Sequence, residues 1–231
     1  MVHIAGRRML VTGGQRGLGA AFASELLARG ADRVYVTTRT PAPSSDARIV
    51  PVALDVTDPD SVRAATEIAD DVAIVVNNAG TNGPLPVLGT DIDAMREVFE
   101  TNVFGPVRVT QAFAPILARQ PDSALVNVHS VFSWLGGTGA YGASKAALWS
   151  LTNSLRVELA AQDTKVIGVH LSFADTDMTA GLDVFKIAPE YAAARVLDGL
   201  ERDDAEVLVD DTSRDVKAAL AGPVGELVLT L

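Results

Sequence analysis

Strand-like apolar runs alternate with helical patterns along the chain. The predicted strands span residues 8–12, 33–38, 48–54, 71–76, 123–129, 165–171 and 206–209. Helical patterns follow them, beginning near residue 17 and covering 59–69, 91–119, 139–161, 189–200 and 211–221. Because parallel strands need long crossovers, usually helices, this alternation predicts one parallel sheet of about seven strands with helices on both faces. The 231 residues suit a single domain, 1–231, without internal repeats.

A glycine-rich turn joins the first predicted strand to the first predicted helix. Residues 13–19 read GGQRGLG, and the helical pattern that follows carries Phe22, Leu26 and Leu27. Glycines let backbone N–H groups approach a pyrophosphate, and the first turn of a helix offers further unpaired donors. In this strand–turn–helix context the turn predicts a phosphate-binding loop, the alternative being a glycine-rich turn without a ligand.

The end of the second predicted strand carries no acidic residue. In a dinucleotide site this position meets the adenosine ribose, where a carboxylate would accept hydrogen bonds from the 2′-hydroxyl. Here Thr38 is neutral, Arg39 is cationic, and Arg16 lies in the glycine turn. Two guanidinium groups could clamp a 2′-phosphate. The sequence therefore predicts NADP(H) in preference to NAD(H), unless both arginines simply face water.

Tyr141 and Lys145 open the helical pattern 139–161, and their spacing puts both side chains on one helix face. A free tyrosine loses its proton near pH 10, so acid–base work at neutral pH needs a shift of about 3 pKa units, or about 4 kcal/mol. A close ammonium in a partly dry site supplies much of that shift. The alternative for an isolated pair is a half-buried ring beside a solvated amine. We expect the buried side of this helix to carry Ala147, Leu151, Leu155 and Leu159.

Polar residues follow the fourth and fifth predicted strands. Residues 77–80 read NNAG, and Ser130 comes directly after the fifth strand. Polar side chains at the carboxyl ends of parallel strands suit the edge of a sheet where ligands bind. Asn102 lies inside the helical pattern 91–119 although asparagine is a poor helix former, so it is either solvated or kept for its amide.

Composition and charge exclude several classes of protein. The formal net charge of −10 and the lack of a Lys/Arg cluster disfavour a nucleic acid partner. No apolar run reaches the ~18 residues that span a bilayer, and no signal segment precedes the first strand. We therefore expect a soluble cytoplasmic protein without a membrane partner. The sequence has no cysteine and no cluster with metal-ligand spacing, so neither a disulfide nor a metal is expected.

Taken together, the motifs resemble the short-chain dehydrogenase/reductase family, in its compact single-domain branch. The resemblance rests on TGGQRGLG, NNAG, the serine after the fifth strand and YGASK, in this order and spacing, and it covers nearly the whole chain. It implies a Rossmann-type doubly wound α/β fold and hydride transfer between NADP(H) and a carbonyl or alcohol. It also implies a homodimer or homotetramer, built partly from the helices around Asn102 and Tyr141.

The resemblance assigns catalytic roles to four residues. Tyr141 would be the general acid that protonates a carbonyl oxygen, and the base in the reverse reaction. Lys145 would lower the pKa of the tyrosine and hydrogen-bond the nicotinamide ribose. Ser130 would hold the substrate oxygen, and Asn102 would help position a water that relays protons to Lys145.

Cofactor contacts are implied in the same way. The three glycines at 13, 17 and 19 would shape the pyrophosphate turn, and Asp55 and Val56 would meet the adenine. Asn77 and Gly80 would support the cofactor and the sheet, and Thr176 would meet the nicotinamide amide. With Tyr141 and Lys145, the full set of expected cofactor-binding residues is Gly13, Gln15, Arg16, Gly17, Leu18, Gly19, Thr38, Arg39, Asp55, Val56, Asn77, Ala79, Gly80 and Thr176.

Two features depart from the family pattern. Leu171 and Ser172 stand where Pro-Gly is usual, so the loop beside the nicotinamide is expected to differ in shape. Ser130 lies eleven residues before Tyr141, which shortens the intervening substrate loop. Ser133 is an alternative to Ser130 for the substrate oxygen, but Ser130 follows the strand in the expected register.

The substrate side is expected to be apolar. Six large apolar residues lie in loops beside the predicted edge, although each also suits core packing: Leu85, Phe132, Trp134, Leu135, Phe173 and Met178. They favour a small to medium apolar ketone or aldehyde.

A cofactor-binding sensor without turnover is a rival function, and it predicts that some of the four catalytic residues are replaced or missing. An epimerase or dehydratase of the extended family branch would carry an additional C-terminal domain. His129 and His170, beside strand ends, are expected to be structural.

Overall fold

A computed structural model describes residues 1–229 and contains one sheet of seven parallel strands. The strands are β1 (Arg8–Thr12), β2 (Arg33–Thr38), β3 (Ile49–Ala53), β4 (Ile74–Asn77), β5 (Ala124–Val128), β6 (Lys165–His170) and β7 (Glu206–Leu208). Their order is β3-β2-β1-β4-β5-β6-β7. The chain therefore runs outward from β1 to one edge, returns to the middle, and runs from β4 to the other edge. The predicted Rossmann-type α/β fold is confirmed.

Helices cover both faces of the sheet. They are α1 (Gly17–Ala28), α2 (Pro59–Ile68), α3 (Ile92–Phe99), α4 (Gly105–Leu117), α5 (Gly139–Leu159), α6 (Pro189–Arg202) and α7 (Asp211–Ala219). Successive residues of a strand point to opposite faces, so Met9 packs with α1 and α6 while Leu10 packs with α2 and α4. Within residues 1–229, no helix is both long and apolar enough to cross a membrane.

The long helix predicted over 91–119 is interrupted. A π-helical turn, Glu100–Phe104, separates α3 from α4, and Asn102 lies within it, fully buried. Single π-turns inside helices are uncommon and often occur at functional sites. Periodicity did not reveal the interruption, because one extra residue in a turn hardly changes the apolar pattern.

The buried face predicted for α5 is wrong in part. Leu151 is 36% exposed, whereas Leu159 is buried and Leu155 is partly buried. The buried side carries Ser144, Lys145, Leu148 and Thr152 instead. Apolar spacing misled the prediction because three of these inward-facing side chains are polar.

A buried aspartate replaces the rigidity that Pro-Gly would give the loop after β6. The backbone N–H and the hydroxyl of Ser172 both donate to Asp210 Oδ2, each at 2.8 Å. Asp210 Oδ1 also accepts from the Ser213 N–H at 2.7 Å, which caps α7. Burial acts to raise the pKa of Asp210, but the hydrogen bonds from Ser213 and Ser172 outweigh it and hold the pKa below its ordinary 3.8.

Replacing Asp210 with alanine should lower the free energy of unfolding by about 2 kcal/mol, because α7 loses its cap and the β6 loop loses two hydrogen bonds. The folded pKa lies below the ordinary value, so the contribution is complete above about pH 5 and disappears as pH falls through the folded pKa. Urea denaturation across this range measures it. The control is Asp211→Ala, which changes the neighbouring, exposed aspartate. An equal loss of unfolding free energy in both variants would contradict the stabilising role of Asp210.

Candidate active site

The candidate site lies at the carboxyl edge of the sheet, where β1 and β4 end side by side. The Thr12 hydroxyl accepts from the N–H groups of Asn78 and Ala79 at 2.9 and 3.0 Å. Asn78 Nδ2 donates in return to the Thr12 carbonyl at 2.9 Å. These bonds hold the glycine turn against the NNAG segment. Neither Thr12 nor Asn78 was predicted as a site residue, and only the cross-strand contact reveals their role.

The glycine turn has the conformation of a phosphate-binding loop. Gly13 and Gly17 have φ of +64° and +50°, which disfavour other residues. A Cβ on Gly19 would lie 2.1 Å from the Gly13 carbonyl oxygen, so the turn closes only with glycine. Arg16 precedes α1 without a side-chain cap, and the first turn holds no acidic residue. Leu18 packs partly buried against the core below the turn.

These features fit the pyrophosphate of a nicotinamide dinucleotide. The first N–H groups of α1 carry no side-chain cap, and an anion at a helix N-terminus is stabilised by such donors. Thr176 lies against this turn, since a Cβ on Gly17 would be 3.1 Å from its methyl carbon. The loop after β6 therefore borders the same crevice.

The loop after β2 borders the glycine turn, on the side where the adenosine ribose is expected. The Gln15 amide pairs with the backbone of Ala42, donating at 2.6 Å and accepting at 2.9 Å. Thr38 is partly exposed and Arg39 is exposed beside this loop. Arg16 Nη1 lies 3.4 Å from Asp177 Oδ2. Both side chains are about 80% exposed, so this ion pair contributes little to the stability of the fold.

Asp55 and Val56 follow β3. The Asp55 carboxylate accepts from the N–H and hydroxyl of Thr57 at 2.9 and 2.8 Å, which lowers its pKa. Val56 is buried, and a Cβ on Gly105 would lie 2.8 Å from its methyl carbon. Its side chain therefore packs between α4 and the sheet.

The Asn77 side chain points into the protein and supports the sheet, which is one part of its predicted role, while its support of the cofactor stays a prediction. It is 3% exposed, and its Nδ2 donates to Asn127 Oδ1 at 2.9 Å and to Thr110 at 3.2 Å. Asn77 thus ties β4 to β5 and α4. The sequence places it at a strand end, but the alternation of side chains along β4 directs it into the protein.

Tyr141 and Lys145 share one face of the first turns of α5. The Lys145 Nζ lies 5.7 Å from the centre of the Tyr141 ring and donates to the Val128 carbonyl at 2.9 Å. Lys145 is 5% exposed, and burial lowers its pKa to about 8. Burial raises the pKa of Tyr141 to about 12, and a hydrogen bond with the Ser130 side chain acts in the opposite direction.

Two effects shift the pKa of Tyr141 in opposite directions: burial raises it, and the hydrogen bond with Ser130 lowers it. Lys145 Nζ donates to the Val128 carbonyl, and its predicted effect on the phenol stays a prediction. Ser130, by its hydrogen bond, is the residue that favours the phenolate.

Ser130 lies two residues after β5 and is the N-cap of a single 3₁₀ turn, Val131–Ser133. Its hydroxyl accepts from the Phe132 N–H at 3.1 Å and hydrogen-bonds the Tyr141 phenol. The Ser133 hydroxyl is buried and makes no hydrogen bond within the described chain. The structure thus brings Ser130, and not Ser133, to the phenol.

Asn102 connects the NNAG segment to α5. Its Oδ1 accepts from the Thr81 N–H at 2.8 Å, and its Nδ2 donates to the Thr81 carbonyl at 2.9 Å and to the Ser144 hydroxyl at 3.0 Å. Ser144 in turn donates to the Tyr141 carbonyl at 2.6 Å. A Cβ on Gly80 would lie 3.2 Å from Asn102 Oδ1, so the NNAG segment passes close to this amide. Ser144 was not predicted, although its place before Lys145 in YGASK could have suggested it.

The side of the crevice beyond Tyr141 is aromatic. Phe132 meets the Tyr141 and Phe173 rings edge-on, with centroids 6.0 and 5.5 Å away. Leu85 and Met178 are 47% and 43% exposed. Trp134 was expected here but is 7% exposed and faces the interior, so it does not line the pocket. Within residues 1–229, no group of three His, Cys, Asp or Glu side chains could hold a metal ion.

Comparison with known proteins identifies the family. The model described as short chain dehydrogenase matches residues 7–185. An uncharacterized oxidoreductase of Myxococcus xanthus (strain DK1622) is 32% identical over 225 residues, covering 90% of this chain and 88% of the relative. A short-chain dehydrogenase of Penicillium ochrochloron is 35% identical over 178 residues, covering 71% of this chain and 64%, less than two thirds, of that relative.

A solved structure shows the same relationship. The crystal structure of a short chain dehydrogenase from Burkholderia cenocepacia J2315, in complex with NADP, matches with a TM-score of 0.93 and 35% identity over 100% of both chains. The chain belongs to the short-chain dehydrogenase/reductase family. It is therefore an oxidoreductase of a fold that binds nicotinamide cofactors.

Replacing Gly19 with alanine should weaken NADPH binding at least about tenfold, because its Cβ would force the Gly13 carbonyl out of the turn. Fluorescence titration with NADPH measures this, and circular dichroism checks the fold. Gly181→Ala is the control, since a Cβ there meets nothing within 4 Å. Equal affinity in both variants would show that the turn does not contact the cofactor.

Proposed function

We propose that the protein is an NADP(H)-dependent oxidoreductase that interconverts a ketone or aldehyde and the corresponding alcohol. The observation that carries the proposal is the grouping of Lys145, Tyr141 and Ser130 at the carboxyl edge of the sheet: the Lys145 Nζ lies 5.7 Å from the centre of the Tyr141 ring, and Ser130 acts on the pKa of the phenol. The bound nicotinamide would supply or accept the hydride. The chain's own residues would handle the oxygen and the proton.

Each catalytic residue has a role that suits its surroundings. Tyr141, with a pKa of about 12 here, stays protonated at neutral pH and can donate to a carbonyl oxygen. The Ser130 hydroxyl would hold the same oxygen. Lys145 would bind the nicotinamide ribose, and the negative charge of a bound cofactor would raise its pKa above about 8 and further favour the ammonium. Asn102 would hold the NNAG segment in place. It would also help to position a water that relays protons to Lys145.

The substrate we propose is a small to medium apolar carbonyl compound. The edge-on rings of Phe132 and Phe173 and the exposed side chains of Leu85 and Met178 support this, because they offer apolar area beside the phenol. We also propose a single domain, a cytoplasmic location and a homodimer or homotetramer. The exposed side chains of Phe104, in the π-helical turn, and Leu151, on α5, support such an assembly.

Replacing Tyr141 with phenylalanine should lower the turnover number about 10²- to 10⁴-fold, because the ring stays and the proton donor is lost. NADPH consumption against a panel of ketones and aldehydes measures it. The control is Tyr191→Phe, a tyrosine on α6 that is 47% exposed. Tight NADPH binding by the unaltered chain without turnover on any compound would favour the cofactor-sensing rival.

Replacing Arg39 with alanine should weaken NADPH binding about 10- to 100-fold and leave NADH binding unchanged, because only NADPH carries the 2′-phosphate. Dissociation constants for both cofactors measure this. Arg33→Ala, at the other end of β2, is the control. Equal affinity of the unaltered chain for NADPH and NADH would remove the proposed preference. The NADP in the Burkholderia structure supports that preference.

A further inference from the structure

Two buried histidines lie end to end behind Ser130. His129 follows β5 and His170 ends β6, and neither is more than 1% exposed. His129 Nδ1 lies 3.1 Å from His170 Nε2, and His170 Nδ1 lies 3.0 Å from the Ser130 carbonyl oxygen. On the other side, His129 Nε2 lies 2.8 Å from the Thr152 hydroxyl. The pair thus links α5 to the residue that contacts Tyr141.

The Ser130 carbonyl favours one direction for this chain of hydrogen bonds. A carbonyl only accepts, so a neutral His170 must carry its proton on Nδ1 and accept at Nε2. His129 must then carry its proton on Nδ1 and accept at Nε2 from Thr152. Thr152 in turn accepts from Asn127 Nδ2 at 2.9 Å. Donors run from Asn127 to Ser130 in the arrangement in which the Thr152 hydroxyl donates to His129.

Two of the groups have an additional partner. The Thr152 hydroxyl also lies 2.7 Å from the Leu148 carbonyl, so its hydrogen faces two acceptors. The Ser130 carbonyl also accepts from the Ser133 N–H at 3.0 Å. Since a carbonyl oxygen has two lone pairs, His170 and Ser133 together satisfy it.

The surroundings keep both rings neutral. Burial lowers the pKa of His129 well below its ordinary value and that of His170 to about 4. Two groups raise the pKa of His170: the Ser130 carbonyl, and the Glu206 carboxylate, whose Oε1 lies 3.6 Å from His170 Nε2. The cations that face the pair and lower the pKa values further are Lys145, Arg156 and Lys217.

Packing fixes the position of each ring. A Cβ on Gly168 would lie 2.7 Å from His129 Cε1, so β6 has a glycine where that ring passes. Trp134 stacks on His170, with centroids 3.9 Å apart and planes inclined by 18°. Trp134 lies in the loop between Ser130 and Tyr141. A hydrogen bond and a stacking contact therefore both connect His170 to the candidate site.

We propose that His170 is a positioning residue for the reaction proposed above, on which this inference rests. The Nδ1–H bond to the Ser130 carbonyl holds the backbone where β5 turns away from the sheet. It thereby sets the direction of the hydroxyl that contacts Tyr141 and the substrate oxygen. His129 and Thr152 supply the tautomer that makes this bond possible.

Two substitutions separate the hydrogen bond from the stacking contact. His170→Phe keeps a ring against Trp134 but removes both ring nitrogens, and His170→Asn keeps an N–H donor near the position of Nδ1 but removes the ring. We expect His170→Phe to lower kcat roughly tenfold, without weakening NADPH binding, and His170→Asn to recover most of the loss. The reverse order would assign His170 to packing alone.

A matched control lies at the opposite end of the same two strands. The buried hydroxyls of Ser123 and Thr164 share a hydrogen bond of 2.8 Å there. Thr164→Val removes it and should leave kcat unchanged. A tenfold lower kcat in this variant as well would show that kcat responds to the loss of any hydrogen bond between β5 and β6. That result would overturn the proposal.

Combination with Ser130→Ala shows whether His170 acts through Ser130. We expect the double variant, Ser130→Ala with His170→Phe, to be no slower than Ser130→Ala alone. Losses that multiply would overturn the positioning role. The two proposals fail differently: no turnover by the unaltered chain ends the proposed function, whereas turnover that His170→Phe leaves intact ends this inference alone.

A measurement without substrate tests the direction of the chain of hydrogen bonds. The sequence has only three histidines, so their ¹⁵N resonances can be assigned by substitution. We expect His129 and His170 to be neutral and protonated on Nδ1 between about pH 6 and 8. A neutral His170 protonated on Nε2 would overturn the proposal, because it could not donate to the Ser130 carbonyl.

Discussion

The parallel pairing of β1 with β4 is the constraint on which the candidate site depends. The chain leaves the two strands in opposite directions, so a crevice opens where they end. The Thr12 hydroxyl closes the bottom of that crevice by accepting two N–H groups from the NNAG segment. The glycine turn, Asn102 and the start of α5 are all positioned relative to this contact.

Burial of polar groups on α5 gives the site its chemistry at a cost in stability. Ser144, Lys145 and Thr152 occupy the side that a purely structural helix would fill with apolar residues. Desolvation favours the neutral form of both partners, so it raises the pKa of Tyr141 to about 12 and lowers that of Lys145 to about 8, and the two values lie farther apart than the ordinary 10.0 and 10.5. Their protonation therefore responds strongly to any charge that binds beside them.

The sequence allowed the fold and the site's location to be predicted, because both follow from local patterns. Strand–helix alternation and the short motifs are read within a few residues. The sequence did not reveal contacts between residues far apart: the Asn77 amide donates to Asn127, and Trp134 stacks on His170. The π-turn at Asn102 was also missed, since it is supported by Thr81 and Ser144, which are distant in the sequence.

Polar contacts, not proline, hold the loops around Ser130. Asp210 fixes Ser172 on one side, while His170, one residue before Leu171, holds the Ser130 carbonyl on the other. Hydrogen bonds are directional, so they fix the position of a loop as the ring of a proline would. Unlike a proline, they depend on the protonation state of a buried aspartate and a buried histidine. Because both groups have lowered pKa values, this arrangement is constant near neutral pH. The departure from Pro-Gly thus changes how the loop is held while still leaving it firmly held.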